Sequence, residues 1–186
     1  MARRFTPGSS DKVSWSGGLL LYNQTAASLC GWFRSPATTG TAPFGLFLQQ
    51  ADFNIIVMVN QLVTGADDGK FEVLWRTPSA IVQFAGTTVW DDDAWHRILV
   101  VRRNSSPYVE LYVDGVSDGS STTDPLTNAT AATDQYWGIN DGITVGAWNG
   151  QLAKCAFTAG SALTPAQADD FLLRGVLPNN PLRQWL

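Results

Sequence analysis

Few residues in this chain could do acid–base or nucleophilic chemistry, and their spacing limits what that chemistry could be. The 186 residues include a single histidine, His96, and two cysteines, Cys30 and Cys155. One imidazole and no CxxC pair exclude a multi-histidine or cysteine-rich zinc or iron site. A hydrolytic triad would have to run through His96, and no GxSxG or comparable nucleophile setting accompanies it. Flanked by Trp95 and Arg97 at a strand entrance, the imidazole is expected to hold a hairpin by a hydrogen bond. Glycoside hydrolysis needs two carboxylates roughly 5 to 10 Å apart. Glu72 and Glu110 are the only glutamates and each is isolated. Asp91-Asp92-Asp93 is the densest acidic cluster, but consecutive residues cannot all face one substrate from a strand. A solvated turn before Trp95 is the simpler expectation, so no catalytic residue and no metal site is assigned.

Binding chemistry is better represented. The chain has 8 Trp and 4 Tyr, and aromatic faces suit the apolar side of pyranose rings. Trp32, Trp75 and Trp95 fall among apolar strand residues and are expected in the core. Trp90, Trp137 and Trp148 fall in turns and, with Tyr136, are the candidate surface patch. A net charge of -4 argues against nucleic-acid or anionic-membrane partners, which need a basic face. No apolar run reaches the ~20 residues of a membrane span. Arg3-Arg4 hints at a twin-arginine signal, but Thr6-Pro7-Gly8-Ser9-Ser10-Asp11 stands where the apolar segment should be, so no signal peptide is expected. The sequons at Asn23, Asn104 and Asn128 then carry no weight, and Cys30 and Cys155 are expected to be reduced, buried thiols.

The elements that must position these residues are mostly strands. Composition is 45% hydrophobic and 15% charged, fitting one globular domain of about 150 residues or a little more. Short alternating segments bounded by Gly, Pro, Asn, Asp and Ser predict strands near 3–5, 12–15, 28–34, 44–49, 54–61, 70–76, 80–86, 96–103, 108–114, 142–147 and 151–158. So many strands call for two face-packed sheets. Asp68-Gly69 and Asp114-Gly115 suit tight hairpins. Residues 117–134, rich in Ser, Thr, Asp and Ala, predict a long surface loop. One helix is legible: Thr164 as N-cap, Pro165 in the first turn, Phe171-Leu172-Leu173 on an apolar side, and Gly175 as the stop. The tail 176–186, broken by Pro178 and Pro181, suits neither a helix nor a central strand. Leu182, Trp185 and Leu186 are costly at a free end, so the tail either docks on a partner or folds back on the domain.

Trp95-His96-Arg97-Ile98-Leu99-Val100-Val101, followed at hairpin distance by Val109-Glu110-Leu111-Tyr112-Val113-Asp114-Gly115, resembles the central hairpin of laminin G-like domains in the concanavalin A-like lectin/glucanase superfamily. There a "WH" pair opens one strand and "LYVDG" closes the next. Leu29-Cys30-Gly31-Trp32-Phe33-Arg34 resembles the early strand of that family, Ile143 to Gly146 its "IG" strand, and Gly150 to Thr158 with Leu163-Thr164-Pro165-Ala166-Gln167 its ending. The resemblance covers residues 3 to about 175. It implies an all-β, antiparallel jelly-roll β-sandwich with one short C-terminal helix over residues 1–175, followed by the tail 176–186.

Two departures bear on function. Lys154 stands near the place of the family's usual acidic residue, and the calcium-coordinating positions of calcium-binding members cannot be matched, so no cofactor is assigned. The E-x-D-x-x-E arrangement of the glucanase members is absent. The resemblance therefore implies a non-enzymatic binding or structural module. A laminin G-like domain standing alone is similar to small bacteriophage proteins, which implies a virion location as a capsid-decoration or tail component. Its partners there are other virion proteins or further copies of itself. The alternative is a lectin for cell-surface glycans, and a third reading is a glycoside hydrolase using an Asp pair drawn from Asp91, Asp93 and Asp114.

Overall fold

The structure is a computed structural model that describes residues 2–5, 13–16, 24–35, 44–50, 53–59, 69–77, 79–126, 134–137, 150–175 and 183–185. In chain order the strands are β1 (Arg3–Phe5), β2 (Val13–Ser16), β3 (Ala27–Arg34), β4 (Phe44–Gln50), β5 (Phe53–Val59), β6 (Lys70–Arg76), β7 (Ile81–Val89), β8 (Trp95–Arg102), β9 (Val109–Val113), β10 (Val116–Ser121), β11 (Asp134–Trp137) and β12 (Gly150–Ala159). Helix α1 (Pro165–Arg174) and strand β13 (Arg183–Trp185) follow.

The main sheet runs β1-β12-β3-β8-β9-β10, with β13 also paired to β12. A second layer holds β4-β5-β6-β7, with the pair β11-β2 lying beside β4. Every pairing is antiparallel. This is the expected jelly-roll sandwich.

Alternation explains the layers. In β8, Ile98 and Val100 face the inter-sheet core with Leu29 and Phe33 of β3, Phe71, Val73 and Trp75 of β6, and Phe157 of β12. Phe33 meets Phe71 edge-to-face at 4.4 Å between centroids, a favoured aromatic geometry. The opposite parity of the same strands, Cys30, Leu99, Val101 and Ala156, forms a second cluster with Ala168, Phe171 and Leu172 of α1. The helix thus covers the outer face of the main sheet. Its start is a capping box between Thr164 and Gln167, and Gly175 closes it with φ 74°, a left-handed value that glycine adopts without a Cβ penalty.

Strand β12 carries a bulge opposite Gly31. Trp32 pairs with Ala153 and Cys30 with Ala156, so Lys154 and Cys155 together oppose one residue, and Lys154 takes φ 47°. A Cβ at Gly31 would stand 3.0 Å from Cys155 Sγ, so a larger residue there would require Cys155 to shift by a few tenths of an ångström.

One expectation changes. Residues 117–134 are not one loop: β10 pairs with β9 and lies against β7, and the segment ends in β11. The alternation there was illegible because its buried position is an acid, Asp118. In the tail, Arg183–Trp185 pair with Phe157–Cys155, the fold-back alternative, as an edge strand where proline-flanked segments belong. Leu182 and Leu186 lie outside the described residues, as does the expected strand 142–147. Deleting residues 179–186 is expected to remove the β13 hydrogen bonds and lower the melting temperature by a few degrees, about 1 to 2 kcal/mol. Lost assembly with an unchanged melting temperature would instead place Leu182, Trp185 and Leu186 against a partner.

Candidate functional site

At one end of the main sheet the chain's only imidazole is fixed between two acids. His96 is 8% exposed. Its Nδ1 lies 2.7 Å from Asp114 Oδ2 and its Nε2 3.0 Å from Asp92 Oδ1. The ring is stacked on Phe33 at 5.4 Å and meets Trp90 edge-on at 4.8 Å. Burial works against the charged ring, but hydrogen bonds to Asp114 and Asp92 outweigh it and hold the His96 pKa above the ordinary value. The bond to His96 likewise holds the Asp92 carboxyl below its ordinary range. An imidazolium donating from both nitrogens satisfies both acids, so His96 welds the 91–94 turn to the β9–β10 hairpin, the structural role its setting predicted.

The rest of the acidic cluster is also engaged. Asp92 accepts from Ala94 N–H at 2.8 Å, and Asp93 pairs with Arg34 at 2.9 Å. Asp114 further accepts from the Arg97 backbone N–H at 2.9 Å. Among the described residues no group of three or more His, Cys, Asp or Glu is disposed to hold a metal ion. Cys30 and Cys155 are free and buried on opposite faces of the main sheet. Burial pushes the Cys30 thiol up to about 12 and the Cys155 thiol higher still. Thiols so raised are not nucleophiles at neutral pH.

Of the expected aromatic patch, Trp90 is the member whose side-chain setting is described. Trp90 packs against the core, and its indole N–H donates to Asp118 Oδ2 at 3.1 Å, so it serves the architecture. Tyr136 and Trp137 lie in strand β11 rather than a turn, opposite Ser14 and Val13 of β2. Trp148 lies outside the described residues.

Two tryptophans expected in the core line the surface instead. Trp75 is fully buried as expected, whereas Trp32 of β3 and Trp95 of β8 are half-buried. With Ala153, Lys154, Leu172 and Leu173 they line an open groove of about 460 Å³ between the outer face of the main sheet and the end of α1. The β12 bulge turns both Ala153 and Lys154 toward it. Lys154 Nζ donates to Leu172 O at 2.8 Å, and Trp32 Nε1 donates to the same carbonyl at 3.2 Å. Arg97 sits 5.9 Å from the Trp32 ring centre, with its charge engaged by Asp169 at 2.6 Å and Asp114 at 3.6 Å. The Trp95 indole N–H makes no hydrogen bond among the described residues. An aromatic platform, a free indole donor and an ammonium are the parts of a site for a polar, ring-shaped ligand. Sequence reading missed it because both faces of β3 and β8 are apolar, so strand parity could not say which tryptophan faces outward.

The laminin G-like family profile described as "Concanavalin A-like lectin/glucanases superfamily" matches residues 7–168. No curated protein sequence matches the chain. Among solved structures, a native heptameric SAP-like pentraxin from Limulus polyphemus is similar at TM-score 0.68 and 13% identity, over 99% of this chain and 89% of that one. Domain 4 of a GH43 extracellular arabinanase from Geobacillus stearothermophilus, in complex with arabinotriose, is similar at TM-score 0.58 and 18% identity, over 81% and 68% of the two chains. Domains LG4-5 of the mouse laminin α1 chain are similar at TM-score 0.62 and 11% identity, over 99% of this chain and 45% of theirs. These likenesses agree in fold with the strand pairings above. The chain belongs to the concanavalin A-like lectin/glucanase superfamily, as a laminin G-like jelly-roll domain.

Proposed function

We propose that this domain is a non-enzymatic recognition module that binds saccharide in the groove beside α1. The observation that carries the reading is Trp95: a half-buried indole with its N–H unpartnered among the described residues, next to Trp32 and Lys154 in an open concavity. The neighbouring arabinanase domain, solved with arabinotriose, supports the ligand class. The engaged state of His96, Asp92, Asp93 and Asp114 supports binding over hydrolysis.

On a glycan array the chain is expected to bind, and Trp95→Ala to weaken binding about tenfold or more, a loss of about 1.4 kcal/mol, with an unchanged melting temperature. A blank array overturns the reading. Loss with Trp137→Ala or Trp148→Ala, but not with Trp95→Ala, moves the site to the other aromatic patch.

The proposal extends to place. We propose display on a virion, as capsid decoration or tail component, with other virion proteins or further copies of this chain as neighbours, a place that the open groove suits. Cell-surface glycans are then the natural ligand.

A further inference from the structure

We propose that the groove beside α1 selects a carboxylated saccharide, the sugar ring lying against Trp95 and its carboxylate on the Lys154 ammonium. The inference rests on the saccharide-binding reading and goes further in naming the ligand's charge.

It starts from how the cations in and beside β3, β8 and α1 are used. Arg34 is paired with Asp93, Arg97 with Asp114 and Asp169, Arg102 with Asp124, Arg103 with Glu110 and Arg174 with Asp170. Lys154 is half-buried, yet among the described residues it has no carboxylate partner, and its one hydrogen bond goes to Leu172 O. That carbonyl already accepts from Trp32 Nε1, so it does not need the ammonium to be satisfied. An ammonium has three donors, and two remain for a ligand. The placement is also built rather than incidental: a left-handed residue in a bulge, opposed by a closely approached glycine, presents this side chain at the groove. A charge partly withdrawn from water and left without a protein counter-ion favours an anionic group arriving with the ligand.

The ring platform beside it narrows the anion to one carried on a sugar. Trp32 is fixed by its own hydrogen bond and by Arg97, which leaves Trp95 and its N–H for the ring and one hydroxyl. Arg97 and Arg34 flank the site with their charges already neutralised, so Lys154 alone sets the preference. An ammonium is a point charge without the fork of a guanidinium, which suits a single anionic oxygen such as one of a sugar carboxylate.

Calorimetric titration with trigalacturonate and with sialyllactose, each paired with its methyl ester, tests the inference on wild type, Lys154→Met and Lys154→Arg. At least one acid is expected to bind about tenfold tighter than its ester. Lys154→Met should bring the acid down to the affinity of the ester while leaving ester binding in place, and Lys154→Arg should keep most of the preference. Equal affinity of acid and ester on wild type overturns the charge selection and leaves the saccharide site standing. Absence of binding by all four probes, alongside a blank glycan array, overturns both. If Lys154→Met lowers the melting temperature, Lys154→Arg decides: a folded arginine variant with no preference for acid over ester overturns the inference.

Discussion

Replacing Asp118 by alanine is expected to destabilise the fold by about 3 kcal/mol, a melting-temperature loss near 10 °C for a domain of this size. The carboxylate is 5% exposed and is the extra residue of a bulge in β10, between Ser117 and Gly119. Its Oδ1 accepts from Thr87 N–H at 3.3 Å, Thr87 Oγ1 at 3.0 Å and Thr88 N–H at 3.1 Å, and its Oδ2 accepts from Trp90 Nε1 at 3.1 Å. Alanine leaves those donors at the junction of β7 and β10 without their acceptor, and part-buried donors so orphaned are expensive. Gly86 shows how closely the group is fitted, since a Cβ there would lie 2.2 Å from Asp118 Oδ2. Urea denaturation of Asp118→Ala beside Val116→Ala, a control at a 70% exposed position two residues away, is the measurement. A loss below about 1 kcal/mol for the aspartate variant would refute this account of the junction.

The second large effect is at His96. His96→Gln is expected to lose about 2 kcal/mol, because two carboxylates then face a neutral side chain where an imidazolium had joined them. The wild type should also lose stability as pH rises. The folded His96 pKa is raised by Asp114 and Asp92, above an unfolded value near 6.5. The folded state therefore holds the proton more tightly than the unfolded chain. Its contribution is complete below about pH 6.5, falls as pH climbs through the raised folded value, and is absent above it. No other imidazole exists in the chain, and the Cys30 and Cys155 thiols are pushed far above this range. Thermal melts of wild type and His96→Gln from pH 6 to pH 9 should draw closer toward the alkaline end, leaving the pH-independent loss of ring packing on Phe33 and Trp90. Parallel curves would sink the assignment.

These two residues show unequally in the sequence. His96 was legible, because a lone imidazole beside Trp95 in the hairpin Trp95 to Gly115 has one economical use, and Asp114 in the closing turn supplies its partner. Asp118 was not, because β-strands are recognised by apolar residues at every second position, and here the buried position is an acid satisfied by donors about thirty residues earlier. The same difficulty hid Trp32 and Trp95. With the inter-sheet core on one face and α1 on the other, their strands are apolar on both parities, and only the cover above them separates a core indole from a groove indole.

What the amino-acid sequence determined by itself is local in origin. Strand content, the tight turn at Gly115, the capped helix from Thr164 to Gly175 and the shortage of catalytic groups follow from residue types and short spacings, and these carry the jelly-roll fold. Tertiary structure decided the site. Trp32, Trp95, Lys154 and Leu173 come from four separate stretches of chain. They meet only through the β3–β8 register that sets Trp32 opposite Arg97 and Arg34 opposite Trp95, and through the bulge that swings Lys154 outward. Register between distant strands is set by the sum of core packing along their length, so no short motif could have announced the groove.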